Sequence, residues 1–480
     1  MQTVVLSILL AAIPGVATLR LSQDPLVVGA TGDVDVLPPA AIGQKARQVM
    51  YNVQDVQYFA DLTVGGQPIT GLLDTGSFDL VVFDQACEGC GDAGTYSSSR
   101  SSSYTAGLVT QTMEYGSGSV EAREAFDQVA LGPYGEINLT FWNVMDADMP
   151  VLESASFNSI VGVGPPETSG SDAWSLVEDD MHELRRHLQN ENVLPSATAT
   201  EELKKAVDLA TVAGIEPTLI KADNVAHFSI CLGRKSGSVG YFTWNDTSYL
   251  DTPSLFTYIK VLGKHTWTIN MTNMQLSLGG KESGLFGCQH GCGAIVDSGT
   301  SLLLMPEDAI EALRAMLRDM NVDCTNIHSL PELTFKLAGK DFVLPPHAYI
   351  SQTEDWGEED SSNFNVKRNR LAEKVRLDFG GGECELAVMG SRSETNWGPL
   401  WILGMPFLRS YYTTFKVGRN HDERALFTAP AGGDCTPAGS DSDLARKSGY
   451  EEGLRTLNRS AMFIPHIVHK ARTQAFLSNL

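Results

Sequence analysis

Two stretches of this chain are nearly the same: GLLDTGSFDL, Gly71 to Leu80, and AIVDSGTSLL, Ala294 to Leu303. Each sets an aspartate after two apolar residues, follows it with Thr/Ser-Gly-Ser/Thr, and leads into an apolar run. A carboxylate in such surroundings is costly unless it is paired or hydrogen-bonded. A second matching pair follows in the same order. SIVGVG (Ser159 to Gly164) trails the first aspartate, and WILGMP (Trp401 to Pro406) trails the second. An internal repeat of this kind has to be found before a fold is chosen. It implies two similar halves, each presenting one carboxylate. The chain's 480 residues are also too many for one ordinary core.

From Tyr51 the chain is a series of short β-branched and aromatic runs cut by Gly, Pro or Asp, as in VQYFADLTVGGQPITGLLD. That is a strand-and-turn pattern and predicts an all-β protein. Two segments break it. Residues 171–222 favour helix and read as a surface excursion, and residues 351–383 read as a long polar loop. In the first of these, His182-Glu183 invites comparison with a zinc-binding HExxH. The next histidine is His187, five residues on, so the two rings do not share a helix face. Residues 436–480 form a polar extension ending in AMFIPHIVHKARTQAFL, read as a processed tail or a docking helix.

Charge and cysteines narrow the setting. Lys plus Arg number 35 and Asp plus Glu 58, a formal charge of −23. Phosphate binding relies on Lys and Arg, so this balance argues against a general nucleic-acid binder. It suits an acidic compartment. The N-terminus carries an apolar run followed by Gly15-Val16-Ala17, which reads as a secretory signal peptide covering residues 1–17. No later segment is long and apolar enough to cross a membrane. Eight cysteines behind such a signal favour disulfides. CEGC (Cys87 to Cys90) is a redox motif or a small structural loop, the latter favoured for want of a βαβ context. CQHGC (Cys288 to Cys292) lacks a second ligand pair at zinc spacing, so a disulfide loop is again expected and no metal site. Asn138, Asn245, Asn270 and Asn458 stand in Asn-x-Ser/Thr triplets and are candidate glycan sites.

The paired aspartate motifs, their order and the stretch QTMEYGSGSV (Gln111 to Val120) together resemble the pepsin-like aspartic proteases, the family of pepsin and cathepsin D, from Tyr51 to about Cys435. The resemblance implies an all-β, bilobal acid-protease fold with a central inter-lobe sheet and, here, a helical insert in the N-terminal lobe. Residues 18–50, rich in Pro, Gly, Ala and Asp, read as a propeptide or else a disordered linker; the resemblance places the N-terminal lobe at 51–240 (insert about 171–222), the C-terminal lobe at 241–435 and an extension at 436–480. It implies an endopeptidase acting at acidic pH through a water activated between Asp74 and Asp297, without a cofactor. Polypeptide substrates and a monomer in a secretory or acidic vacuole- or lysosome-like compartment are expected. A catalytically silent pepsin-like binding protein is the alternative.

The resemblance also assigns roles residue by residue. Thr75, Gly76, Ser77, Ser298, Gly299 and Thr300 would support the two carboxylates. Tyr115, Gly116 and Ser117 would form the tip of a mobile flap. Leu72, Phe157 and Ile160 would line the pocket for the residue before the cut, giving a preference for large apolar residues. It implies disulfides Cys87–Cys90, Cys288–Cys292 and Cys324–Cys384. Cys231 and Cys435 remain and are expected to pair. The chain departs from the family at four places: Val81 stands where the family has a tryptophan bonded to the flap tyrosine, Phe78 where a serine is common, Ser159 where a glycine is common, and Met405 where an aspartate is usual.

Overall fold

The computed structural model describes residues 45–115, 117–165, 217–320, 326–352, 376–379, 382–391, 394–395, 397–418, 423–439, 454–457 and 461–463. The expected signal peptide, nearly all of the helical insert, Cys324, Gly116 and Asn458 lie outside them. Of the insert region, Leu219–Ala222 is a short helix.

Strands dominate. The N-terminal half builds β1 (Ala46–Val53), β2 (Gln57–Val64), β3 (Gln67–Asp74), β4 (Leu80–Glu88), β5 (Thr105–Tyr115), β6 (Gly118–Leu131), β7 (Ile137–Asp148) and β8 (Ser159–Gly162). β1 begins before residue 50, so the boundary drawn there cuts a strand. Ala46 to Met50 pair antiparallel with Gly240–Trp244, and Tyr51 to Val53 pair with β2.

The repeat is visible as topology. In the first half β3 runs parallel to β8, β8 antiparallel to β4, and β4 parallel to β7. In the second, Cys292–Val296 runs parallel to Trp401–Leu403, which meets Leu303–Pro306 antiparallel, and that strand runs parallel to Val388–Ser391. Each aspartate thus leaves a strand whose neighbour comes from much later in the same half. SIVG and WIL are those neighbours, which explains their apolar composition: both are fully buried.

Between the halves lies a run of antiparallel strands, Thr257–Lys260, Ala425–Pro430, Tyr411–Lys416, His227–Cys231, Gly240–Trp244 and then β1. Phe228 stacks between Phe242 and Phe415 with ring centroids 4.9 Å from each, so aromatic packing fixes this sheet. The fold is therefore the bilobal all-β architecture with a central sheet.

The cystine bridges Cys87–Cys90, Cys288–Cys292 and Cys231–Cys435 are formed. The second takes both thiols of CQHGC out of metal chemistry. The third closes a span of 204 residues and ties the end of the second half to the central sheet. Cys384 is disulfide-bonded as well; Cys324, its expected partner, lies outside the described residues. Among the candidate glycan sites, Asn138 and Asn270 are exposed and Asn245 is half-buried.

Candidate active site

Asp74 ends β3 and Asp297 follows the strand Cys292–Val296, so both carboxylates emerge from the ends of buried strands. Both are fully buried. The turns that follow bring them to one point. A methyl group on Gly299 would lie 2.2 Å from Asp74 Oδ1, and one on Gly76 would lie 2.8 Å from Asp297 Oδ2. Only glycine fits there, because neither close neighbour is a flexible chain end that can swing clear.

Each carboxylate is held in the same way. Gly76 N–H donates to Asp74 Oδ1 at 2.8 Å and Ser77 Oγ to Oδ2 at 2.6 Å. Gly299 N–H donates to Asp297 Oδ1 at 2.8 Å and Thr300 Oγ1 to Oδ2 at 2.5 Å. The residues between them lock the two turns together. Thr75 Oγ1 donates to Val296 O at 3.0 Å, and Ser298 Oγ to Leu73 O at 2.6 Å. Thr75 N–H donates to Ser298 Oγ at 3.1 Å, and Ser298 N–H returns the contact to Thr75 Oγ1 at 2.9 Å. This near-twofold lattice fixes both acids.

The electrostatic result is one reluctant acid. Burial pushes the Asp297 carboxyl well above the usual carboxylate range. The neighbouring Asp74 charge and a hydrogen bond shared with Asp74 push it further, while Thr300 and Gly299 pull the other way. Two carboxyls in contact cannot both ionise cheaply, and the pair titrates as a unit.

Two further acids, Asp223 half-buried and Asp246 fully buried, give the fold its own pH dependence. Burial pushes Asp223 up to about 7. At Asp246 burial also opposes ionisation, but bonds from Lys45, Ser229, Ser248 and Tyr412 outweigh it and hold the carboxyl at about 2. A raised carboxyl stabilises the fold below its unfolded value and loses that contribution as pH rises through its folded value; a depressed one does the reverse. The thermal midpoint is therefore expected to rise as pH falls from about 7 to the ordinary carboxylate value of 3.8, and to drop again towards about 2. Scanning calorimetry across that range checks this, and Asp223→Asn should flatten the neutral side.

β5 and β6 form a hairpin whose register sets Tyr115 opposite Gly118. Tyr115 and Ser117 are buried. Burial, then the charges of Asp74 and Asp79, push the Tyr115 phenol far above its usual range, so it stays neutral beside the carboxylates. Leu72, Phe157 and Ile160 are fully buried in the same apolar cluster as Tyr115. Val81, at the position of the missing tryptophan, lies in that cluster too, in parallel register with Trp142 of β7. An indole is thus present, on a different strand. Ser159 donates to Thr70 O at 3.1 Å, and its hydroxyl packs where a methyl on Gly71 would come within 2.8 Å. Met405 opens the helix Met405–Ser410, fully buried, its N–H on Thr300 O at 2.9 Å.

Sequence reasoning missed two groups. One is Ser301, which occupies in the second motif the place of Phe78 in the first; its hydroxyl donates to Val56 O at 2.6 Å. The other is Phe463, fully buried beside Tyr115 and Phe157 with ring centroids 5.8 and 6.2 Å away. The signal was the apolar AMFIP in an otherwise polar tail.

Comparison with known proteins agrees with this geometry. The family model described as eukaryotic aspartyl protease matches residues 57–197 and 217–425. Pepsin A of Bos taurus is 27% identical over 388 residues, covering 78% of this chain and 85% of its own. Pepsin-3 of Oryctolagus cuniculus is 26% identical over 397 residues, covering 80% and 84%. A pregnancy-associated glycoprotein of Equus caballus is 27% identical over 395 residues, again covering 80% and 84%. With a family match over more than half its length, on a bilobal fold whose repeated turns join two buried aspartates, the chain belongs to the eukaryotic aspartyl proteases.

Proposed function

We propose that the chain is an aspartic endopeptidase that cuts peptide bonds at acidic pH, with Asp74 and Asp297 as its catalytic pair. The observation that carries this reading is the contact of the two carboxyls, each held on both oxygens by its own turn. A single proton shared by the pair lets one group act as base and the other as acid, as in aspartic proteases generally. The ionised member takes a proton from water as its oxygen attacks the peptide carbonyl carbon. The protonated member gives its proton to the carbonyl oxygen. The resulting gem-diol collapses when a proton is returned to nitrogen and the C–N bond breaks.

Tyr115 and Ser117 close over the site as the flap. Leu72, Phe157 and Ile160 favour large apolar residues around the cut, since their cluster offers apolar surface and no charge. The secretory route, removal of residues 1–17, a propeptide ahead of the catalytic lobes and glycans at Asn138, Asn245, Asn270 and Asn458 belong to the same reading. No helix among the described residues is long and apolar enough to cross a membrane.

Purified protein is expected to cleave acid-denatured globin and to be blocked by a statine-type mimic of the gem-diol. Mass spectrometry of the products should place the cuts between large apolar residues. Cleavage that resists that inhibitor, or none at any acidic pH once both terminal extensions have been removed, would count against the assignment.

A further inference from the structure

The C-terminal extension does not stay outside the fold. Arg455–Thr456 joins Ile350–Gln352 as a parallel strand, with Ser351 opposite Arg455 and Gln352 opposite Thr456. The Arg455 guanidinium is buried, 3.3 Å from Asp55 Oδ2, and donates to Arg234 O. Residues 461–463 pack against both halves of the fold. Ala461 O accepts from Gln57 Nε2 at 2.7 Å. Phe463 N–H donates to Ser301 Oγ at 3.0 Å, and Ser301 N–H donates back to Phe463 O at 3.4 Å. The ring of Phe463 fills the space between Tyr115 and Phe157.

These contacts locate the segment. Ser301 is four residues past Asp297 in the same turn, and Tyr115 is close enough to Asp74 for its phenol to feel that charge. Two-way backbone bonding to one residue, with an aromatic side chain in an apolar pocket, is how an extended peptide is gripped. A tethered ligand of this kind competes at an effective concentration of about millimolar, far above most free peptides.

We propose that the C-terminal extension is a built-in inhibitor, anchored at Arg455–Thr456 and covering the aspartate turns with residues 461–463, so that the intact chain is latent until it is released or cut away. The proposal rests on the catalytic reading above. It also names what the segment imitates: an extended peptide with an aromatic residue seated under the flap.

The test compares the full chain with Phe463→Ala, both with the same N-terminus, on a fluorogenic apolar peptide at acidic pH. Losing the burial of one phenylalanine should raise kcat/KM by roughly ten- to a hundredfold. Equal activity of the two would overturn the proposal while leaving the protease reading intact. A second arm uses a labelled synthetic peptide, LRTLNRSAMFIP (residues 454–465), and a chain ending at Gly453. The peptide should bind that chain, and the same peptide with alanine at 463 should bind at least tenfold more weakly. This arm needs no catalysis. Phenylalanine-dependent binding with no hydrolysis by any form would keep the occlusion and sink the protease reading. Equal binding of both peptides would sink the occlusion.

Discussion

Asp297→Asn is expected to remove most peptide hydrolysis, with a loss of about 10²- to 10⁴-fold in kcat, and Asp74→Asn to do the same. Asparagine keeps the shape of the side chain: its Oδ1 can still accept from Gly299 N–H, the bond of 2.8 Å at Asp297, and its Nδ2–H can donate to the Thr300 hydroxyl, which rotates to accept in place of the 2.5 Å bond it donates to Asp297. It cannot share a proton with its neighbour. The loss is therefore chemical and not structural, and stability separates the two. Asp297 carries a carboxyl raised by burial and by Asp74, so ionising it at neutral pH costs the fold stability. The Asn variant should then match or exceed the wild type in thermal midpoint near neutral pH while being inactive at acid pH. A variant that loses activity and fold together would show instead that the carboxylate is needed for packing. Steady-state kinetics alongside calorimetry decides.

Gly299→Ala should also be severe, for a steric reason. The added methyl would sit 2.2 Å from Asp74 Oδ1 and 3.3 Å from Asp297 Oδ1. Both acids are held by short bonds from their own turns, so neither can move without breaking them. Displacing a reacting group by about 1 Å costs on the order of 10²-fold in rate, and the strain adds a fall in stability. Gly284→Ala is the matched control, since nothing lies within 4 Å of the methyl it would add. The control should keep wild-type rate; if Gly299→Ala keeps it too, the described closeness of the two turns is wrong.

The parts of this molecule legible in sequence were those written in local pattern. The two DTGS/DSGT stretches differ little, so their repetition announced both carboxylates and the two halves together. SIVG and WIL were readable as partners because each lies in the same order after its aspartate. What escaped was whatever depends on distant residues meeting. Arg455, Arg409 and Asp55 form one buried cluster, yet Arg409 and Asp55 are 354 positions apart. Phe463 reaches Ser301 across 162 positions, and nothing in AMFIP says which wall it will meet. Trp142 joins the apolar cluster of Tyr115 and Val81 through strand register, which no local pattern announces. The strand that spans residue 50 was hidden for a similar reason. ARQVMYNV gives no local sign of its partner until Gly240–Trp244 is there to pair with it.

The central claim is that Asp74 and Asp297 act as one pair sharing a proton. The pH dependence of kcat/KM tests it most directly, on an apolar peptide between about pH 2 and about pH 8, with Phe463→Ala so that the cleft is open. A bell on the acid side is expected. The rate should fall as pH rises through the raised carboxyl, because the acid is lost, and fall again at the lowest pH, where the base is protonated. A rate that holds level or climbs through neutral pH would contradict it.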